Sequence, residues 1–156
     1  MNAMASTTLP AKLRMRHVRL ATGPAAPAEA RSQVRTVIRN WEVPIDPYVA
    51  ALLTSELVTN AIRYETGPAV MLVITWSCGE LRVDVYDTSC SLPALADVPA
   101  DAETGRGLLL VAALSAEWGC YRTSTGKAVY FTLTGQAPPE PRRPRRGLRA
   151  IQARGQ

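Results

Sequence analysis

At 156 residues, with 47% hydrophobic and 20% charged side chains, the chain has the size and composition of one soluble globular domain with an ordinary core. No apolar run approaches the roughly 20 residues of a membrane span, and the N-terminus, MNAMASTTLPAKLRMR, lacks the apolar stretch of a secretory signal. The formal charge of +5 is local: the segment from Gln136 carries six arginines against Glu140, while residues 1–135 hold 12 basic and 12 acidic side chains.

Residues 1–11 read as a disordered N-terminus, 12–134 as the folded domain and 135–156 as a Pro/Arg-rich, disordered tail. KLRMRHVRL, Lys12 to Leu20, alternates as an edge strand with its basic residues outward. AAPAEARSQVRTVIRNWEV follows, with Ala30, Val34, Val37, Ile38 and Trp41 at helical spacing. A second helix runs through DPYVAALLTSELVTNAIRY, capped by Asp46, with Pro47 at its first position. Pro68 to Trp76 and Glu80 to Asp87 are β-rich runs joined through Ser77-Cys78-Gly79, a hairpin signal. A polar segment, TSCSLPALADVPADAETGRG, precedes an apolar helix predicted over Gly107–Trp118 and stopped by Gly119. CYRTST and KAVYFTL close the chain as a hairpin around Gly126. The order β-α-α-β-β-α-β-β predicts an α/β two-layer sandwich, a mostly antiparallel sheet covered by helices.

Three stretches carry candidate chemistry. On the second helix, Val49, Leu52, Leu53 and Leu57 form one predicted apolar stripe, and Glu56 and Asn60 are stacked one turn apart within it, with Arg63 a turn further on. Either this end of the stripe faces solvent, with Glu56 pairing to Arg63 or Lys127, or it borders a pocket for a metal ion and phosphates. The apolar Ala51, Val58 and Ile62 on the other side favour a helix buried on both faces, whose polar groups need partners. Thr104-Gly105-Arg106-Gly107 leads into a helix; it reads as an ordinary loop or as a phosphate-binding turn below unpaired N–H groups. Asp87 ends a strand, as a turn former or as a buried carboxylate able to accept the amino group of adenine. Lys127, in a hairpin turn, reads as a solvated lysine.

Together ELVTNAIRY, VDVYDTSCSLP, TGRGLLLVAAL and WGCYRTSTGKAVYF resemble the GHKL-type (Bergerat-type) ATPase domain over residues 12–134. The nearest branch is that of the actinobacterial anti-sigma-factor serine kinases and related stand-alone ATP-binding regulators. The resemblance implies ATP and Mg²⁺ as cofactors, Asn60 as the metal ligand and Glu56 as the general base. It implies nucleotide contacts from Asn60, Arg63, Asp87, Gly105, Arg106, Gly107 and Leu108, with Asp87 reading adenine and Arg106 in a flexible lid. Arg63 either contacts the phosphates or pairs with Glu56. The expected activity is that of a serine protein kinase that phosphorylates a STAS-type anti-sigma-factor antagonist; the alternative is an ATP-dependent module that sequesters a sigma factor or antagonist without transferring phosphate. The expected location is the cytoplasm, and homodimers are implied. The chain departs from the pattern in three places: Asp87-Thr88-Ser89-Cys90-Ser91 lacks the glycines of DxGxG, Tyr64 stands where His is common, and the lid from Ser91 to Glu103 is short and acidic.

Other classes fit poorly. The three cysteines, Cys78, Cys90 and Cys120, have neither zinc spacing nor a disulfide framework and read as thiols in a reducing compartment. The single histidine, His17, reads as solvent-facing and leaves no Ser-His-Asp triad and no zinc-hydrolase site. A neutral body and a tail without interleaved aromatics argue against a nucleic-acid-binding protein.

Overall fold

A computed structural model describes residues 12–90 and 103–135; the segments 1–11, 91–102 and 136–156 lie outside the described residues. The elements are β1 (Arg14–Ala21), α1 (Ala26–Trp41), α2 (Pro47–Tyr64), β2 (Ala69–Ser77), β3 (Glu80–Asp87), α3 (Glu103–Leu114), β4 (Glu117–Arg122) and β5 (Lys127–Thr134). The strands form one sheet in the order β1-β2-β3-β5-β4, and every neighbouring pair is antiparallel. All three helices lie on the face that buries Leu20, Leu72, Ile74, Leu81, Val83, Val85 and Phe131, so the two-layer α/β sandwich expected from element order is the fold observed.

Local chemistry accounts for most of the boundaries. Asp46 caps α2, its carboxylate accepting from the amides of Tyr48 (2.8 Å) and Val49 (3.4 Å). α1 ends where Glu42 turns left-handed (φ 53°), which returns its amide to Arg39 and Ile38 carbonyls. The β2–β3 hairpin turns through Cys78 (φ 50°) and Gly79 (φ 77°), two consecutive positive-φ residues of the kind a right-twisted two-residue hairpin needs. β1 is an edge strand as expected, with Val18 and Leu20 inward and Arg16, His17 and Arg19 exposed; not every basic residue is outward, for Arg14 is half-buried and donates to the Trp41 carbonyl at the end of α1.

Two expectations are corrected. The last helix does not span Gly107–Trp118. It covers Glu103–Leu114, and Trp118 and Gly119 lie in β4. An apolar run carries no unique period, and here Trp118 pairs opposite Phe131 and packs on the core from a strand. Gly119 is no helix stop; a Cβ there would meet the ring of Tyr130 at 2.9 Å. The α2 stripe is also rotated from its predicted position. The buried arc is broad, comprising Ala50, Ala51, Leu53, Thr54, Ser55, Leu57, Val58 and Ala61, whereas Leu52 is 39% exposed and Val49 is only partly buried. α2 packs against α1, α3 and the sheet, and small residues, not only leucines, fill those close contacts.

The other face of the sheet carries no helix among the described residues. Arg82 and Asp84 form an ion pair there (2.9 Å), Arg82 lies 3.7 Å from the centre of the Tyr130 ring, and the Tyr121 hydroxyl donates to Asp84 (3.1 Å). Burial, reinforced by the hydrogen bond with Tyr86 and the negative charge of Asp84, pushes the Tyr121 phenol well above its ordinary range. No helix among the described residues is long and apolar enough to cross a membrane.

Candidate functional site

The C-terminal half of α2, the start of α3 and the end of β3 converge. Glu65 holds α2 to β3: its carboxylate accepts from the Thr88 amide (2.7 Å), the Thr88 hydroxyl (2.5 Å) and the Gly67 amide (2.6 Å). Burial raises the Glu65 carboxyl, but these bonds together outweigh it and hold the group below its ordinary value. A depressed carboxyl stabilises the fold above its unfolded-state value and loses that contribution as pH falls through the folded value. Glu65→Gln is therefore expected to be less stable than the parent near neutrality, with the gap closing on acidification below the carboxylate range. Urea unfolding across pH measures it; a gap that stays constant would mean that Glu65 acts only through its shape.

Glu56 and Asn60 are both half-buried and Arg63 is exposed. They flank the buried arc of α2, beside the exposed Leu52 and the partly buried Val49, rather than lying in the middle of a buried apolar stripe as the sequence pattern implied. The face is nevertheless covered in part. α3 crosses it so closely that a Cβ on Gly107 would stand 2.5 Å from Glu56 Oε2. The glycine thus gives the carboxylate its place beside the helix. Among the described residues Glu56 and Arg63 form no ion pair, so the pairing considered for them is absent.

The Thr104–Gly107 stretch is not a loop before the helix; it lies within the first turns of α3, which begins at Glu103. Arg106 is exposed, and Leu108 is a core residue whose side chain packs on the sheet and helices. The side chains of residues 103–105 are not described, so Gly105 is placed only by its position in the helix.

Because the clash at Gly107 is with the far end of a flexible side chain, Gly107→Ala is expected to displace the Glu56 carboxylate without unfolding the protein. Alanine is the better helix former, so stability should change by no more than about 1 kcal/mol. Thermal melting measures the stability, and a structure of the variant shows the displacement. A melting point lowered by more than about 10 °C would mean that α2 and α3 cannot adjust.

Asp87 is 5% exposed and faces the helix side of the sheet. Its Oδ1 accepts from the Ser89 amide (2.8 Å) and pairs with Lys127 Nζ (3.1 Å), while its Oδ2 is buried with no hydrogen-bond partner among the described residues. Lys127 is the directly opposed residue on β5 and is only 3% exposed. The solvated lysine expected from its turn position is therefore a buried one. Alternation explains it: Lys127 shares the inward parity of Val129, Phe131 and Leu133. The adjoining turn is tight enough that a Cβ on Gly126 would overlap the Asp87 carbonyl oxygen, which locks β5 against the end of β3. Sequence reasoning missed Glu65 and Lys127. The parity of β5 was the available signal for Lys127; for the contact of Glu65 with Thr88 there was none, since the two are 23 residues apart.

No protein-family model matches the chain, and no curated protein matches it. Among solved structures it is similar to the histidine kinase domain from the Erythrobacter litoralis EL346 blue-light activated histidine kinase, with 26% identity and a TM-score of 0.45 over 73% of this chain and 64% of that one. It is also similar to the Acinetobacter baumannii histidine kinase AdeS, with 14% identity and a TM-score of 0.49 over 80% of this chain and 70% of that one. The chain therefore spans less than two thirds of the length of the first of these.

Proposed function

We propose that this chain is a GHKL-type ATP-binding regulatory protein that acts as a serine protein kinase and anti-sigma factor on a STAS-type antagonist. The observation that carries the reading is the buried Oδ2 of Asp87, which has no hydrogen-bond partner among the described residues. An unmet buried acceptor costs roughly 1–3 kcal/mol, and a ligand N–H removes that cost. The same end of the molecule presents a carboxylate and an amide one turn apart, Glu56 and Asn60, beside the first turns of α3. These residues fit a nucleotide. The acceptor meets the base, and the amide and the helix end suit phosphates and Mg²⁺, an ion that keeps most of its waters and needs no all-protein cage.

In this reading Asn60 holds the metal, and Arg63 and Arg106, both exposed, bring positive charge to the phosphates. Glu56 takes the proton from the attacking serine hydroxyl. Bound Mg-ATP supplies the phosphoryl group for transfer, in a reaction that depends on positioning and charge neutralisation. Glu65, through Thr88, keeps the base-reading end of β3 registered against the helix that carries Glu56 and Asn60.

Calorimetry with Mg-ATP, followed by transfer of labelled phosphate to partners purified with the protein from its host, tests the proposal. Binding with transfer to a serine supports it. Binding without transfer leaves a module that sequesters its partner, and absence of binding removes the nucleotide reading altogether.

A further inference from the structure

We infer that Lys127 is a second base-reading residue, which donates to a ring nitrogen flanking the 6-amino group of adenine while Asp87 accepts from that group; this rests on the nucleotide reading above. A lone carboxylate at a base site accepts hydrogen bonds only. It meets the amino group and leaves the ring nitrogens on either side of it without a protein donor. An acceptor with a donor beside it meets two atoms of the base, the match that the amide of Asn or Gln makes with adenine. In this protein the carboxylate has such a neighbour. Asp87 and Lys127 are directly opposed on β3 and β5, both face the helix layer, and both are nine-tenths or more buried.

The pair leaves one acceptor and, next to it, donors. Asp87 Oδ1 is taken by the Ser89 amide and Lys127 Nζ, and Oδ2 has no hydrogen-bond partner among the described residues. The Lys127 ammonium carries three N–H donors. Asp87 is its only ion-pair partner among the described residues. The order of acceptor and donor is fixed. Gly126 packs so closely on the Asp87 carbonyl that the two strand ends are held in register, and an ammonium that swung away would lose its buried counter-ion. Adenine presents the complementary order. Its 6-amino group donates to Oδ2, and N1 on one side of that group or N7 on the other accepts from the ammonium. Stability alone does not account for the lysine, because a buried ion pair is often no better than apolar residues of similar volume. A ring nitrogen of the ligand gives its remaining N–H groups an acceptor.

The test is calorimetric titration of the full chain with the Mg²⁺ complexes of ATP, 1-deaza-ATP and 7-deaza-ATP. Each analogue replaces one ring nitrogen by C–H and keeps the 6-amino group. The unmodified protein is expected to bind one of the two about tenfold or more weakly than ATP, because a buried N–H of the ammonium then faces no acceptor. Which analogue is weakened identifies the nitrogen. Lys127→Met keeps an unbranched side chain and removes the donors, so in this variant the same analogue should bind as well as ATP. The ratio of ATP to analogue is the readout, because a merely structural role for Lys127 would weaken all three ligands alike. Both analogues binding within about threefold of ATP in the unmodified protein overturns the inference and leaves the nucleotide reading intact. So does a discrimination that persists in a folded Lys127→Met. If the variant does not fold, the analogue series on the unmodified protein decides alone. Failure to bind ATP overturns the inference together with the reading it rests on.

Discussion

Glu56→Gln is expected to abolish most phosphate transfer while leaving Mg-ATP bound. The substitution keeps the length of the side chain, its place against Gly107 and the α2 geometry that presents Asn60, and removes only the ability to take a proton. A positioned general base contributes about 10²–10⁴-fold, so transfer to a serine partner should fall by that factor. Single-turnover transfer from labelled ATP, with binding followed separately by calorimetry, distinguishes the possible roles. An equally active variant would make Glu56 structural and place the base elsewhere. Collapse of binding would mean that the carboxylate positions the nucleotide or the metal. Gly107→Ala provides the companion measurement, since it moves the same carboxylate without neutralising it.

The second large effect is expected at Asp87. Asp87→Asn strands the ammonium of Lys127 in a site only 3% exposed, without the carboxylate 3.1 Å away that neutralises it. Removing one member of a buried pair costs about 3–5 kcal/mol, most of it for the charge left behind. Urea unfolding should show that loss as a lowered midpoint with an unchanged slope. The double variant Asp87→Asn/Lys127→Met, which removes both charges, should recover most of it. The single variant should also bind ATP about 5–150-fold more weakly, the equivalent of about 1–3 kcal/mol for a lost hydrogen bond to a charged group. Unchanged stability in the single variant would show that Lys127 has another counter-ion, and unchanged ATP affinity would remove Asp87 from the base site.

Local signals were reliable wherever the controlling interaction is itself local. The Asp46 cap spans two and three residues, the hairpin at Cys78-Gly79 depends on two backbone angles, and β1 stands at the sheet edge as expected, although Arg14 and Arg16 share the inward parity of Val18 and Leu20. Element order then led to the two-layer sandwich, because antiparallel strands joined by short turns leave the helices only the faces of the sheet. The apolar run after Gly107 was misread because Leu108 to Trp118 satisfies both a helical and an extended pattern. Pairing of Trp118 with Phe131 across the β4–β5 hairpin decides between them, a contact outside the run itself.

The candidate site divides along the same line. Residue types at fixed spacing, Glu56 with Asn60, Asp87 at a strand end and glycines at the start of α3, were legible as chemistry before any fold was known. Their surroundings were not. Helical periodicity placed Glu56 and Asn60 inside an apolar stripe, but which arc of α2 is buried depends on how α1, α3 and the sheet share its surface. The charge state of a neighbourhood is likewise a tertiary property. Lys127 stands next to a turn in sequence, yet β3–β5 register puts it opposite Asp87 in the interior, and Glu65 meets Thr88 only because α2 ends beside β3. The sequence by itself determined the elements, their order and the reactive groups they carry. Only the tertiary structure decided which of those groups face one another, since burial and ion pairing arise between segments distant in the chain.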